Sequence, residues 1–186
     1  MFARPLQTNQ VIFPHIWGTP KRIFLTYGDG TVAICSYPDM VTLQTLHAHT
    51  SSCTSIALSP TARHLAIGSS DSLVSIWDTT NWICQKTFAG MSISNNASNP
   101  ETYGGVASVI SGGIKSVGFS FDGAYVIGGS DEGDGIEIGH VDSGEYVHRA
   151  EAPKCNGLVA WHPNRYWVAW AGDGGLRVIG AGVGSM

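Results

Sequence analysis

The stretch that most constrains this chain is 64–78, His-Leu-Ala-Ile-Gly-Ser-Ser-Asp-Ser-Leu-Val-Ser-Ile-Trp-Asp. Its two apolar runs flank a Ser-Ser-Asp-Ser turn, a pattern that predicts a β-hairpin. We expect Asp71 to hold this turn and His49, upstream of the hairpin, to hydrogen-bond to Asp71. Ser69 is then expected to link through to the indole of Trp77. Polar groups that satisfy one another can be buried at low cost, so a structural role is favoured over a catalytic one.

The turn aspartate recurs at a regular spacing. Asp29 and Asp71 lie 42 residues apart, as do Asp131 and Asp173, whereas 60 residues separate Asp71 from Asp131. A propeller blade of the Trp-Asp type takes about 40–45 residues, so the longer spacing is one blade plus an insertion. The sequence therefore predicts an all-β fold, a β-propeller of WD-repeat blades with about four blades present. We place one propeller region over 1–186, with blades at about 10–48, 49–88, 114–152 and 153–180 and an insertion at 89–113.

Composition supports this fold class. The chain contains 24 Gly and 8 Pro, and 13% of its residues are charged, which is typical of short strands joined by frequent turns. The formal net charge of −4 excludes a broadly basic nucleic-acid binder, although local basic patches can still form. No apolar run approaches the roughly 18 residues of a membrane span, so no membrane partner is expected.

Two motifs resemble ligand-binding sites, but neither has the spacing that such a site requires. The segment 112–116, Gly-Gly-Ile-Lys-Ser, suggests a phosphate loop, but Ile114 separates the glycines from the lysine and a strand is predicted to follow. Asp131, Glu132 and Asp134 lack the spacing of a calcium-binding loop, so a solvated hairpin tip is favoured. We therefore expect no catalytic, cofactor-binding or metal-binding residues, and the chain is predicted not to be an enzyme.

Charged side chains separate onto two sets of loops. In a four-stranded blade, the loop between the first and second strands shares a face with the loop between the third and fourth strands. The loops of this face carry a candidate basic rim of Lys21, Arg22, Arg63 and Arg165. The opposite face carries an acidic set of Asp29, Asp71, Asp131, Glu132, Asp134 and Asp173. The basic rim is predicted to meet acidic partner segments or an RNA backbone. The alternative is that these side chains only solubilise the surface.

Several segments are more specific than a generic blade motif. They are Thr26-Tyr27-Gly28-Asp29-Gly30, Ser36-Tyr37-Pro38, His47-Ala48-His49, the stretch 68–78, Phe119-Ser120-Phe121-Asp122-Gly123, Ser143-Gly144-Glu145 and Val159-Ala160-Trp161-His162-Pro163. Together they resemble the WD-repeat subunit of the THO complex, part of the TREX machinery that couples transcription to messenger-RNA export. The resemblance spans about 10–180 and corresponds to the C-terminal half of that family's seven-bladed propeller.

This resemblance implies a non-catalytic scaffold in the nucleus, without cofactors, whose partners are other THO/TREX-type subunits. RNA contact would be indirect or weak. The alternative function is a generic WD-repeat adaptor in a ubiquitin-ligase or chromatin complex, and a propeller enzyme is a third hypothesis. Four blades of a seven-bladed ring leave blade flanks bare, which predicts self-association.

Overall fold

The structure is a computed structural model that describes residues 8–12, 22–89, 93–94, 109–110, 112–130, 132, 135–152, 155–172 and 175–180. These residues form antiparallel sheets whose strand order follows the chain. Blade one contains β1 (Thr8–Ile12), β2 (Arg22–Tyr27), β3 (Thr31–Ser36) and β4 (Thr42–His47). Blade two contains β5 (Cys53–Leu58), β6 (His64–Ser69), β7 (Leu73–Asp78) and β8 (Cys84–Ala89).

The second half of the chain repeats this arrangement. A short pair, β9 (Ile93–Ser94) and β10 (Val109–Ile110), lies within the predicted insertion. Blade three contains β11 (Ile114–Phe119), β12 (Tyr125–Ser130), β13 (Gly135–His140) and β14 (Tyr146–Glu151). Blade four contains β15 (Cys155–Trp161), β16 (Trp167–Gly172) and β17 (Gly175–Gly180), and its sheet has three strands in the described part of the chain.

The tight turn between β2 and β3 shows why glycine is needed at one position. Gly30 has a φ of 86°, in the left-handed region that favours glycine. A Cβ at this position would lie 2.1 Å from the backbone oxygen of His49. The amides of Ala48 and His49 both donate to the Gly30 carbonyl at 3.1 Å. The chain leaving blade one is therefore held against the β2–β3 turn, which fixes where His49 enters blade two.

The apolar core lies between successive blades, because each sheet packs one face on the next. Every residue of β6 is buried, as expected for a strand covered on both faces. Three clusters mark the junctions. Phe24, Val32, Leu46, Leu65 and Trp77 contribute to the first, Val74, Phe88, Ile114 and Val126 to the second, and Ile127, Ile136, Val168 and Trp170 to the third.

The predicted all-β fold is confirmed, with one difference in detail. The first strand begins at Thr8, before the expected start of blade one, and pairs with β2. Residues 13–21, within the predicted first blade, lie outside the described residues, as does most of the predicted 89–113 insertion. Among the described residues, no helix is long and apolar enough to cross a bilayer.

Candidate functional site

A buried polar network connects the turn of blade two to its tryptophan. The Nδ1 atom of His49 lies 3.0 Å from Oδ2 of Asp71, and its Nε2 atom lies 2.9 Å from Oγ of Ser75. The Trp77 indole N–H donates to the same Ser75 oxygen at 2.9 Å. The Ser75 oxygen thus lies between the imidazole and the indole, and His49 Nε2 also lies 3.2 Å from the Ile67 carbonyl oxygen. The His49 side chain is 2% exposed and that of Asp71 18%, and each polar group of this network has a partner within it.

The serine of this network is Ser75, and the prediction that Ser69 links to Trp77 was wrong. Ser69 Oγ accepts the Asp71 amide at 3.3 Å and donates to the Ser51 carbonyl at 3.4 Å. It therefore supports the turn instead. Side chains two positions apart on a strand share a face, so Ser75 and Trp77 meet directly on β7. That two-residue spacing was visible in the sequence and could have identified Ser75.

Asp71 has a second role, which it shares with Asp29. Asp71 Oδ1 accepts the Leu73 amide at 3.1 Å, and Asp29 Oδ1 accepts the Thr31 amide at 3.1 Å and the Thr31 hydroxyl at 2.6 Å. The Thr31 hydroxyl and amide hold the pKa of the exposed Asp29 carboxyl below its usual value. Both aspartates thus stabilise the turn after the second strand of their blade.

Of the predicted acidic set, Glu132 is also exposed, and Asp131, Asp134 and Asp173 lie outside the described residues. The described members of the set are therefore turn-forming or solvated carboxylates. In the described part of the chain, no group of three or more His, Cys, Asp or Glu side chains is placed to hold a metal ion.

Hydrogen bonds between loops establish the two faces of the blades. Thr79 follows the third strand of blade two, and its hydroxyl donates to the carbonyl of Ala62, before the second strand, at 2.6 Å. On the opposite face, the Ser70 amide donates to the Ser52 carbonyl at 2.9 Å. The loop before the second strand and the loop after the third strand therefore lie on the same face, as the prediction of the basic rim requires.

The structure places three rim arginines at equivalent points, the entry to the second strand of their blades. Arg63 and Arg165 are exposed, and the Arg165 guanidinium lies 5.0 Å from the ring centroid of Trp167. Arg22 is half-buried, with its guanidinium 5.7 Å from the Trp82 ring and its Nε buried without a partner. Lys21 lies outside the described residues. Arg63 and Arg165 therefore present charge to solvent, whereas Arg22 also packs between blades.

Two features that could suggest a reactive or ligand-binding site, the segment 112–116 and the Cys53 thiol, are part of the blade structure. The segment 112–116 runs into β11, so a strand follows its glycines instead of the helix that a phosphate loop requires. Burial raises the pKa of the Cys53 thiol to about 12, which keeps it protonated and unreactive at neutral pH. Neither feature supplies a nucleophile or a phosphate cradle.

Comparison with known proteins places these features in a class. The family described as WD domain, G-beta repeat matches residues 40–78, which run from the end of blade one through the polar network. The β-propeller domain of Myceliophteria thermophila Cps50 (Swd1) superposes with a TM-score of 0.74, covering 95% of this chain and 55% of that one at 15% identity. The RRP9 WD40 repeats give 0.69, with 95% and 49% coverage at 19% identity. The chain therefore contains a WD repeat and has the β-propeller fold, as predicted.

Sequence comparison relates the chain to individual WD-repeat proteins. The chain is 34% identical over 158 residues to THO complex subunit 3 of Arabidopsis thaliana, covering 84% of this chain and 44% of that protein. It is also 33% identical over 145 residues to the WD repeat-containing protein AAC3 of Dictyostelium discoideum, covering 74% and 26%. The chain thus spans less than half the length of these two relatives. The resemblance to the THO WD-repeat subunit is confirmed.

Proposed function

We propose that this chain acts as a non-catalytic scaffold in a THO/TREX-type complex that couples transcription to messenger-RNA processing and nuclear export. The observation that carries the proposal is the 34% identity to THO complex subunit 3 over 84% of this chain. Under this proposal the chain works in the nucleus, and its partners are the other subunits of such a complex.

The chemistry of the site supports a scaffold. The His49–Asp71–Ser75 arrangement has the connectivity of a hydrolytic triad, with Asp71 at Nδ1 and Ser75 at Nε2 of the imidazole, but the surroundings of its serine differ. A triad serine donates to the histidine from an exposed position beside the substrate, whereas Ser75 is 2% exposed and also accepts the Trp77 indole N–H. Its oxygen is therefore engaged in the core, and the network stabilises the blade.

Affinity purification of the tagged chain from cells tests the proposal. We expect other THO subunits to be recovered in stoichiometric amounts, and a fluorescent fusion to accumulate in the nucleus. A Leu65→Asp variant, which places a charge in the first core cluster, controls for capture by misfolded protein. Recovery of ubiquitin-ligase or chromatin subunits without THO subunits would contradict the proposal.

That outcome would favour the second function, a generic WD-repeat adaptor. The specific observation behind it is the 33% identity to AAC3, a WD-repeat protein whose name specifies no complex. The two functions differ in their partners and share the same fold, so only the identity of the recovered subunits separates them.

A further inference from the structure

The loops between the first and second strands of blades two, three and four form one continuous surface. We call it the three-loop surface, and it comprises residues 59–63, 120–124 and 162–166. A Cβ on Gly123 would lie 3.4 Å from Thr61 Oγ1 and 3.8 Å from Pro60 Cδ, so the loops of blades two and three are in contact. The Tyr166 hydroxyl donates to Asp122 Oδ2 at 2.7 Å, which joins the loops of blades three and four.

Phe121 is exposed on this surface, although the turn that carries it is formed by other residues. Asp122 Oδ1 accepts the Ser120 hydroxyl at 2.6 Å and the Ala124 amide at 3.1 Å. Gly123 has a φ of 77°, which glycine adopts without strain. The Phe121 side chain takes no part in these interactions, and the residue is 37% exposed. A phenyl ring in such a position offers apolar contact area to a partner.

Two tyrosines hold the Phe121 ring in position. The Tyr166 ring lies 4.9 Å from it, and the Tyr166 hydroxyl is fixed by its hydrogen bond to Asp122. The Tyr125 ring meets the Tyr166 ring in a T-shaped arrangement at 5.6 Å. Because the Phe121 ring is already held, its immobilisation adds little to the entropic cost of binding a partner.

Two arginines of the three-loop surface are available to acidic groups. Arg63 and Arg165 are exposed, and neither forms a salt bridge with a carboxylate in the described part of the chain. The Arg165 guanidinium lies over the Trp167 ring at 5.0 Å, which orients it without using its N–H groups. Arg63 stays exposed although the next loop of its blade, anchored by the Thr79 hydroxyl, lies beside it. A carboxylate can therefore accept charge-assisted hydrogen bonds at either arginine.

Carboxylates on the same face decide what kind of anion fits. The Val141 amide donates to the Ala124 carbonyl at 2.9 Å, so the loop after the third strand of blade three lies beside the three-loop surface. That loop carries Asp142 and Glu145, both exposed, and Asp122 is exposed within the surface itself. A nucleic-acid backbone, with a phosphate at every nucleotide, would meet these carboxylates as well as the arginines. A protein segment can instead place carboxylates at the arginines and uncharged residues elsewhere.

We propose that the three-loop surface binds a segment of a partner protein in which an aromatic residue is flanked on both sides by acidic residues. The aromatic ring packs on Phe121, and the acidic side chains accept hydrogen bonds from Arg63 and Arg165. Arg63 and Phe121 are exposed beside the described loops of their own blades. The site does not depend on which assembly the chain joins, so it can fail or hold separately from the proposed function.

Fluorescence polarisation with labelled peptides tests the site on the 186-residue protein. The probe is Ser-Glu-Asp-Ser-Phe-Ser-Glu-Asp-Ser, and matched peptides replace its Phe by Ala or all of its acidic residues by Lys. We expect saturable binding of the probe. The Ala peptide should bind about fivefold more weakly, because it lacks the ring that packs on Phe121. The Lys peptide should bind more weakly by about tenfold or more, because attraction to the arginines becomes repulsion.

A Phe121→Ser variant tests whether the two rings meet. It should weaken binding of the probe about fivefold and leave binding of the Ala peptide unchanged, since the cycle of protein and peptide changes isolates the contact between the rings. Ile83→Ser, which removes another exposed apolar side chain, is the matched control and should change neither affinity. Circular dichroism shows whether each variant folds.

Charge reversal supplies an independent test if Phe121→Ser does not fold. Arg63→Glu and Arg165→Glu should each weaken binding of the probe about fivefold and strengthen binding of the Lys peptide. Arg177→Glu, at an exposed position on β17, should change neither. No saturable binding of the probe, equal binding of all three peptides, or saturable binding of a labelled oligouridine in place of the probe would overturn the proposal.

Discussion

Replacing Ser75 by alanine should be one of the most destabilising single-hydroxyl deletions in blade two. The Ser75 oxygen serves two partners, since it accepts the Trp77 indole N–H and lies 2.9 Å from His49 Nε2. Each buried group left without a partner costs about 1–3 kcal/mol. The expected loss is therefore about 2–6 kcal/mol in the free energy of unfolding, from those two groups. Urea denaturation followed by circular dichroism measures this value, provided that the m-value is unchanged.

Ser69→Ala is the matched control, because Ser69 is equally buried and was the residue expected to contact Trp77. Its two hydrogen bonds are long, at 3.3 and 3.4 Å, so its loss should cost about 1 kcal/mol. A double-mutant cycle with Trp77→Phe, which removes only the indole donor and some volume, distinguishes the two serines. Ser75→Ala should couple to Trp77→Phe by about 1 kcal/mol or more, and Ser69→Ala should not. Coupling of Trp77 to Ser69 in place of Ser75 would refute the network described above.

Four further predictions follow from the same structure. Trp77→Ala should lower the free energy of unfolding by about 3–5 kcal/mol, and an unchanged melting temperature would show that its indole is not packed in the blade. Sedimentation velocity should show self-association of the chain, because Leu176 and Val178 of β17 are 74% and 55% exposed, whereas a monodisperse, highly stable monomer would favour a closed ring. Reversing the exposed Arg63 and Arg165 together to Glu should weaken partner or RNA capture at low salt without unfolding the protein, with Arg22 left unchanged because it packs between blades, and unchanged capture would mean that the basic rim is not used. The Thr31 hydrogen bonds that lower the Asp29 pKa contribute stability that is present above the ordinary carboxyl pKa and lost as the pH falls through the folded-state value, so an NMR titration of Thr31→Val should show the Asp29 pKa returning upward.

The hairpin 64–78 could be predicted well because its signals are local. The turn aspartate, the flanking apolar runs and the terminal Trp-Asp pair all lie within fifteen residues, and each constrains backbone geometry by itself. The 42-residue spacing of Asp29 and Asp71 indicates that the same hairpin recurs along the chain, and this recurrence predicts the propeller fold. Burial of every residue of β6 follows once blades stack on both of its faces.

Distance from the turn in the sequence does not show which serine, Ser69 or Ser75, contacts the Trp77 indole. That contact depends on the strand and the strand face on which each hydroxyl lies. Ser69 ends β6 opposite Cys53, and Ser75 lies opposite Ile67. Ser75 and Trp77, two positions apart on β7, lie on the same face of the strand, whereas Ser69 lies on the neighbouring strand. Alternation along β7 therefore favours Ser75, whereas nearness to the turn motif favours Ser69.

A cavity of about 660 Å³ lies between blades three and four, lined by residues that include Ala150, Trp161 and Val168. This cavity was not predictable from the sequence. It depends on Ala150 taking the place that Leu46 and Phe88 fill at earlier junctions, and that equivalence appears only after the outer strands are aligned through their pairing. Packing volume is a property of facing residues on different blades. A single sequence gives the volume of each side chain, but it does not show which side chains face each other across a blade junction.

Reconstitution of the assembly from purified components tests the central claim most directly. The 186-residue protein would be mixed with the remaining subunits of a THO complex and separated by size-exclusion chromatography. The proposed scaffold role predicts that the chain co-elutes with them in a fixed ratio, whereas the Leu65→Asp variant does not. Elution of the folded wild-type chain apart from every THO subunit would contradict the proposal.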